Sequence, residues 1–303
     1  VKVVNEDQDD DDPAEYRYYY MQSSGKAYKA GDSSNVKFKT IDGKKYAFDD
    51  DGKMLYGWVK KDDANLATDD SDWEDAEYYL GSWEDGSMKT GWQKITVHDS
   101  DNDKDDDYDY WFNFKANGKK RTHAEDNDTW KSNGKYYHFN QYGVMVYEWF
   151  NIATSGTTNP QSASNWAYFS SPEDGVRYTK GWFKVAPPTE DNSFAEVDDT
   201  FANNDSKDES DRWYYSNGHD EGLAVGEIKK IKGKYYGFWP DDGEKAGRML
   251  TGLCALKMSG SKIVDVIDDD MDADGLDDHS GCLSVYYSLP PLAGEVAPQG
   301  RKG

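Results

Sequence analysis

The sequence predicts an all-β fold, a solenoid of stacked short β-hairpins joined by long acidic loops. A Gly-x-Met element followed by Gly-Trp, or a variant of it, recurs along the 303 residues. Each copy follows a group of Tyr, Trp and Phe residues, which favour strands. A lone hairpin of about 20 residues is only marginally stable in water, so we expect the copies to stack on one another.

The clearest unit spans residues 78–92. An aromatic strand at residues 78–80 leads into a polar turn at residues 81–86, and a second short strand carries Met88 and ends at Gly91-Trp92. Variants of the second half lie at residues 52–58, 143–149, 175–182 and 247–253. The aromatic half recurs at Tyr18, Tyr110, Tyr136, Trp166, Trp213 and Tyr235. Turn-forming residues predict turns near Gly25, Asp51-Gly52, Gly86, Asn117-Gly118, Asn217-Gly218 and Asp242-Gly243.

These signals divide the chain into three parts. Residues 1–15 form an acidic leader, residues 16–253 form the hairpin array, and residues 254–303 form a C-terminal cap with an acidic loop and a flexible tail. Strands are predicted in this cap at residues 262–267 and 282–287. Cys254 and Cys282 either pair in an oxidising compartment or remain two thiols.

Long polar insertions separate the hairpins. Their composition predicts surface loops that project from the stack, at residues 60–75, 98–107, 123–128, 154–165 and 187–211. They either form rims around binding sites or act as solubilising decoration.

The composition restricts the classes of partner. Only 36% of the residues are hydrophobic but 15% are aromatic, so the core is expected to consist largely of rings. The net charge of −24 disfavours nucleic acid and anionic membranes, and it is compatible with neutral sugars, cations and calcium-bridged partners. No apolar stretch approaches the length of a transmembrane helix. We expect a mature secreted protein, or an excised piece of one, since no signal peptide is in view at Val1.

The repeated motif resembles the cell-wall-binding repeats of Gram-positive surface proteins. This group includes choline-binding repeats, the glucan-binding repeats of glucosyltransferases and the carbohydrate-binding repeats of clostridial toxins. The resemblance covers residues 16–253 and implies a secreted or cell-surface protein. It also implies two kinds of site.

The first implied site is an aromatic box around the quaternary ammonium of choline, held by cation–π attraction. The matching Gly-Trp or Glu-Trp residues are Trp58, Trp92, Trp149 and Trp182, and the first aromatic of the Trp-Tyr-Tyr strand matches at Trp166 and Trp213. Because that first aromatic is lost at most short hairpins, we expect choline to bind weakly, with Trp182 as the best remaining candidate. The alternative is that these rings only pack hairpin against hairpin.

The second implied site is a sugar platform, in which the C–H face of a pyranose lies on an aromatic ring. The matching positions in the Gly-Lys-Tyr-Tyr hairpins are Tyr136, Tyr137, Tyr235 and Tyr236. Since side chains alternate along a strand, only one of each pair can face a groove.

A calcium site is predicted in the acidic loop of the cap. Asp270, Asp272, Asp274 and Asp278 match the carboxylate positions of an EF-hand-like loop, and Gly275 supplies its turn. Gly281 stands where the bidentate acid is expected. The alternative is a solvated acidic turn. The alternating run from Asp99 to Asp105 lacks the glycine.

Catalysis has little support in the sequence. The five histidines are scattered, and neither HExxH nor Gly-x-Ser-x-Gly occurs. We therefore expect a non-catalytic module that binds cell wall or another extracellular polysaccharide. The alternatives are a choline-binding anchor on teichoic acid, or a structural or adhesive surface protein that contacts a host surface glycan or binds no small ligand.

Overall fold

The described part of the chain consists of small antiparallel β-sheets, seven of two strands and two of three strands. The computed structural model describes residues 1–10, 12–29, 35–67, 69–100, 105–123, 130–153, 157, 162–189, 210–241, 243–270 and, for the backbone alone, 284–288. Helical structure in these residues is limited to α1 (Asp72–Asp75) and one 3₁₀ turn (Ala163–Asn165). Neither is long and apolar enough to cross a membrane. The predicted all-β hairpin fold is confirmed.

The strands follow the predicted order along the chain. They are β1 (Lys2–Val4), β2 (Tyr16–Tyr18), β3 (Phe38–Ile41), β4 (Lys44–Ala47), β5 (Trp58–Val59), β6 (Tyr78–Tyr79), β7 (Gly91–Asp99), β8 (Asp106–Phe114), β9 (Trp130–Ser132), β10 (Lys135–Tyr137), β11 (Glu148–Asn151), β12 (Trp166–Phe169), β13 (Gly181–Val185), β14 (Arg212–Gly218), β15 (Gly222–Leu223), β16 (Ile228–Ile231), β17 (Lys234–Gly237), β18 (Gly252–Ser259), β19 (Lys262–Asp268) and β20 (Ser284–Ser288).

Each Gly-Trp segment pairs with the aromatic strand of the next hairpin. This differs from the predicted unit, in which Gly-Trp closes its own hairpin. The cross-strand partners are Trp58 and Tyr79, Trp92 and Asn113, Trp149 and Tyr168, and Trp182 and Tyr215. The glycine before the Trp has a positive φ at Gly91 (+72°) and Gly181 (+96°), a conformation that lets the chain turn onto the next strand.

A backbone hydrogen bond repeats from hairpin to hairpin and fixes their stacking. The residue two positions after each turn glycine donates its N–H to a carbonyl in the preceding hairpin, at 2.7 to 2.9 Å. The donor and acceptor pairs are Met54 and Tyr18, Met88 and Lys45, Lys120 and Glu77, Met145 and Trp111, Arg177 and Tyr136, and Met249 and Trp213. We call the donor residue the Met position and the acceptor residue the wall position.

The turn glycines allow close approach between stacked hairpins. Gly143 has φ +87°, and a Cβ atom there would lie 2.7 Å from the carbonyl oxygen of Arg121 in the preceding hairpin. Gly52 has φ +86°, and its Cβ would lie 2.9 Å from the carbonyl oxygen of Tyr28. Only glycine satisfies both the positive φ and the short distance.

Most of the predicted turns are present. The N–H groups of Gly25, Gly52, Gly86 and Gly118 close turns onto carbonyls three or four residues earlier. The turn predicted near Asn217-Gly218 lies directly after these two residues. Both residues belong to β14, because that strand pairs with β13 on one side and β15 on the other, and the chain turns at residues 219–221. Asp242 lies outside the described residues.

The acidic segment at residues 98–107 is partly strand and not the predicted loop. β7 and β8 pair over nine residues each, as far as Asp99 opposite Asp106. Ile95 and Val97 are buried at alternate positions of β7, and this alternation extends the ribbon into the acidic segment. The insertion at residues 60–75 contains α1. Much of the insertions predicted at residues 123–128, 154–165 and 187–211 lies outside the described residues.

The chain forms two compact units with aromatic-rich cores. The first comprises residues 1–127 and 139–145, and the second comprises residues 128–138 and 146–303. In the first unit, β1 pairs with β2, so residues 2–4 of the predicted acidic leader join the array. In the second unit, the largest buried side chains include Trp149, Trp166, Trp182, Tyr214, Tyr236, Phe169 and Phe238.

The second unit ends in a three-stranded sheet. β18 pairs with both β19, which covers the strand predicted at residues 262–267, and β20, which overlaps the strand predicted at residues 282–287 from residue 284 onward. Cys254 is buried in β18, and its thiol donates to the carbonyl oxygen of Thr251 at 3.4 Å. Cys282 lies outside the described residues.

Candidate functional site

Stacking brings tryptophan rings together in perpendicular pairs. In the first unit, the rings of Trp92 and Trp111 have centroids 6.3 Å apart and planes at 86°. Phe139 lies 5.7 Å from Trp92 at 40°. The backbone N–H of Met145 donates to the Trp111 carbonyl at 2.8 Å, which anchors the Met position beside this pair. We call these four residues the Trp92 corner.

The second unit repeats this geometry. The rings of Trp182 and Trp213 have centroids 6.2 Å apart and planes at 86°. Tyr215 lies 5.1 Å and Phe238 5.6 Å from Trp182, and the N–H of Met249 donates to the Trp213 carbonyl at 2.8 Å. We call these five residues the Trp182 corner. A common arrangement therefore occurs in each unit: two perpendicular indoles, a phenylalanine and a methionine.

The two corners differ in accessibility. Trp92 and Trp111 are both half-buried over a buried Phe139. Trp182 is only 1% exposed, so the accessible rings of this corner are the half-buried Trp213 and Tyr215. The Trp92 corner thus offers two partly accessible indole walls, whereas the Trp182 corner offers one.

A third aromatic surface lies near the start of the array. Three tyrosines of the first hairpin face residues of the second hairpin across an open cleft, which is lined by Tyr18, Tyr19, Tyr20, Ile41, Tyr46, Phe48 and Met54. The N–H of Met54 donates to the Tyr18 carbonyl, so the cleft has the same wall and Met positions as the corners. It contains no indole.

The surroundings of Trp58 are aromatic but contain a lysine. Trp58 packs on Tyr79, Phe112 and Phe114, with centroid distances of 4.9, 5.1 and 6.0 Å. The Met position of this copy is Lys120, whose side-chain nitrogen lies 5.2 Å from the Trp58 ring centroid.

Several predicted site residues are buried among other rings. Trp149 and Trp166 are 0% and 1% exposed, and both belong to one core cluster with Phe183 and Tyr214. The indole N–H of Trp149 donates to the Ala186 carbonyl at 2.8 Å. Their rings pack hairpin against hairpin, and a role for them in ligand binding stays a prediction.

The Gly-Lys-Tyr-Tyr hairpins place one tyrosine outside and one inside. Tyr235 is 58% exposed, whereas Tyr236 is 1% exposed and packs 4.7 Å from Trp182, as alternation along a strand requires. The Lys230 nitrogen lies 5.3 Å from the Tyr235 ring centroid.

In the other Gly-Lys-Tyr-Tyr hairpin, both tyrosines, Tyr136 and Tyr137, are half-buried. The ring of Tyr136 lies 4.3 Å from that of His219, and the Lys131 nitrogen lies 4.9 Å from the Tyr136 centroid. Tyr137 packs on Trp130 at 5.9 Å.

The predicted calcium loop is mostly beyond the described residues. Asp270 is described, and its N–H donates to the carboxylate of Asp268 at 3.0 Å. Asp272, Asp274 and Asp278 lie outside. Within the described part of the chain, no three His, Cys, Asp or Glu side chains are grouped as metal ligands.

Sequence reasoning missed several residues of these sites. Trp111 occupies a wall position. It is the second aromatic residue in Tyr110-Trp111-Phe112, and the sequence prediction considered only the first aromatic residue of each strand. Lys120 and Arg177 occupy Met positions, and the signal was present as Gly-x-Lys and Gly-x-Arg at the same distance from the turn glycine.

The chain was compared with family models, with curated proteins and with solved structures. No family model and no curated protein matches the sequence. The modular autolysin LytC from Streptococcus pneumoniae, solved with a synthetic peptidoglycan ligand, is 16% identical, with a TM-score of 0.40 over 84% of this chain and 47% of that one. The chain therefore spans about half the length of that autolysin.

Two further solved structures superpose on this chain with lower TM-scores. Choline binding protein F from Streptococcus pneumoniae is 18% identical, with a TM-score of 0.34 over 85% of this chain and 76% of that one. An alternansucrase in complex with isomaltononaose is 16% identical, with a TM-score of 0.23 over 80% and 19%. The solved structures matched thus include a choline-binding protein. The fold of this chain rests on its own strand pairing.

Proposed function

We propose that the chain is a non-catalytic module that binds the bacterial cell wall through aromatic side chains of its stacked hairpins, at the cell surface or after secretion. The observation that carries this proposal is the perpendicular indole pair, which occurs in both units with the same angle and nearly the same centroid distance. Core packing alone does not require two half-buried indoles at the Trp92 corner.

The corners fit a quaternary ammonium group better than a sugar ring. A compact cation can contact the faces of two or three rings set at right angles, and each contact is favourable by cation–π attraction. A pyranose requires one broad exposed ring. Choline on teichoic acid has the required headgroup, and the net charge of −24 favours a cationic ligand. From the sequence we expect weak choline binding because the first aromatic of the strand is lost at most short hairpins. In the Trp92 corner, Trp111 can serve as that missing aromatic wall.

A neutral glycan is the second candidate ligand, on a different surface. Tyr235 is the most exposed aromatic ring among the described residues, and the Lys230 ammonium beside it can donate to sugar hydroxyls. This arrangement suits a sugar platform on one face of β17.

The test is retention on purified cell wall that carries choline on its teichoic acid. We expect millimolar choline to elute the wild-type chain and Trp111→Ala to weaken retention roughly 5- to 30-fold, the equivalent of about 1 to 2 kcal/mol of cation–π attraction. Tyr235→Ala is the matched control and should be retained normally.

The alternatives give other results. Retention that resists choline but is lost in Tyr235→Ala, together with binding to dextran or starch, indicates the neutral glycan. A folded wild-type chain that binds none of these materials indicates the structural or adhesive role.

A further inference from the structure

The Trp58 surroundings differ from the two corners at two linked positions. The wall position is Trp111 and Trp213 in the corners but Glu77 here. The Met position is Met145 and Met249 in the corners but Lys120 here. An aromatic wall and a methionine are thus replaced together by a carboxylate and an ammonium.

The ammonium of Lys120 has a built environment. The residue is 3% exposed, and its nitrogen donates to the carbonyl oxygens of Trp73 at 2.6 Å and Glu74 at 3.0 Å. Both carbonyls belong to α1.

Aromatic rings complete this environment. The Lys120 nitrogen lies 5.2 Å from the Trp58 centroid and 6.0 Å from the Phe112 centroid, within the range of cation–π attraction. The Asp75, Glu77 and Glu74 carboxylates also act on it electrostatically. Rings, carbonyls and carboxylates therefore surround one cation that the chain itself provides.

We propose that Lys120 is an internal ligand of this cage, and that shortening its side chain opens a binding site for a primary alkylammonium ion. The class of ligand follows from the two carbonyls, which require N–H donors that a quaternary ammonium does not have. The proposal depends on the cage around Trp58 and does not depend on choline binding at the corners.

The first experiment is chemical rescue of Lys120→Ala. This substitution removes the equivalent of n-propylammonium, so at about pH 6, below the pKa of about 7 to which burial lowers the Lys120 ammonium, we expect that ion to raise the melting temperature of Lys120→Ala in a saturable manner. Tetramethylammonium, which lacks N–H groups, and 1-propanol, which lacks the charge, should shift Lys120→Ala no more than they shift wild type, because the corners are the same in both proteins. Wild type and Lys120→Met, which fills the cavity with a side chain that carries no N–H group, are the controls. An equal shift in either control, or none in a folded Lys120→Ala, would overturn the proposal.

The second experiment uses the wild-type chain and decides the matter if Lys120→Ala does not fold. Reductive methylation of the native protein should modify Lys44, whose side chain is 61% exposed, while Lys120 reacts at least about 100-fold more slowly. Mass spectrometry of peptides gives both rates. Modification of Lys120 at the rate of Lys44 in the folded protein shows that the ammonium is not held in the cage, and the proposal then fails.

Discussion

The side-chain nitrogen of Lys120 lies over the face of Trp58, 5.2 Å from the ring centroid. Burial lowers the pKa of the Lys120 ammonium from 10.5 to about 7, although the Asp75, Glu77 and Glu74 carboxylates act to raise it. Between these two values the unfolded chain binds a proton that the folded chain does not. The folded state therefore gains stability as pH rises.

We predict that Lys120→Met flattens this dependence. Because the unfolded state binds one proton more than the folded state, the free energy of unfolding of wild type should rise by up to about 1.4 kcal/mol per pH unit between about pH 7.5 and 9.5. The same rise should be absent in Lys120→Met, since methionine occupies this position in other repeats and does not titrate. Urea unfolding at pH 7.5, 8.5 and 9.5 measures the difference. Parallel curves for the two proteins would contradict the lowered pKa.

A second prediction concerns the turn glycine of the hairpin that follows. Gly143→Ala should destabilise the fold by more than Gly25→Ala. Both glycines have positive φ, +87° at Gly143 and +77° at Gly25. An L-residue in this conformation costs roughly 1 to 2 kcal/mol at either position. The Cβ at residue 143 would also lie 2.7 Å from the Arg121 carbonyl oxygen, whereas nothing lies within 4 Å at residue 25. Thermal unfolding of the two variants isolates the stacking contact, and equal losses would show that this contact is not close in solution.

The repeat could be derived from the sequence because hydrophobic periodicity and turn glycines are local signals. The partners of each ring could not, because they depend on pairing between hairpins. Trp92 was identified by the glycine before it, but its neighbour Trp111 lies across β8 and is set by the register of β7 on β8. That register is a property of the stacked structure.

The burial of Lys120 likewise could not be predicted from the sequence, because it depends on contacts between hairpins. A lysine two residues after a turn glycine is usually a solvated surface residue. It is buried here because stacking places the Trp73 and Glu74 carbonyls within hydrogen-bonding distance of its nitrogen. The sequence carries the position of the lysine but not the carbonyls that hold it.

Calcium binding in the cap is the third prediction. Asp270, Asp272 and Asp274 repel one another if the loop closes, and a divalent cation would offset that repulsion. Millimolar calcium should raise the melting temperature relative to EDTA, and the stabilisation reaches roughly 2.7 kcal/mol at a hundredfold excess over Kd. Asp272→Ala should remove the shift. A shift that survives this substitution means that calcium binds elsewhere, and no shift in wild type indicates a solvated turn.

The last prediction separates folding from binding at the two corners. Trp182 is 1% exposed and packs on Trp213, Tyr215, Tyr236 and Phe238, so Trp182→Ala should lower the free energy of unfolding by roughly 3 to 5 kcal/mol. Trp92 is half-buried, so Trp92→Ala should have a smaller effect on stability. Urea unfolding measures both changes.

Binding should follow the opposite order among the variants that remain folded. Trp92→Ala removes one of two accessible indole walls and should weaken choline-dependent retention on cell wall about as much as Trp111→Ala. Trp182→Phe keeps a buried ring in the core and should retain most binding. If Trp92→Ala is retained like wild type while Trp182→Phe is not, the accessible site is the Trp182 corner, and the half-buried walls at Trp92 and Trp111 serve packing alone.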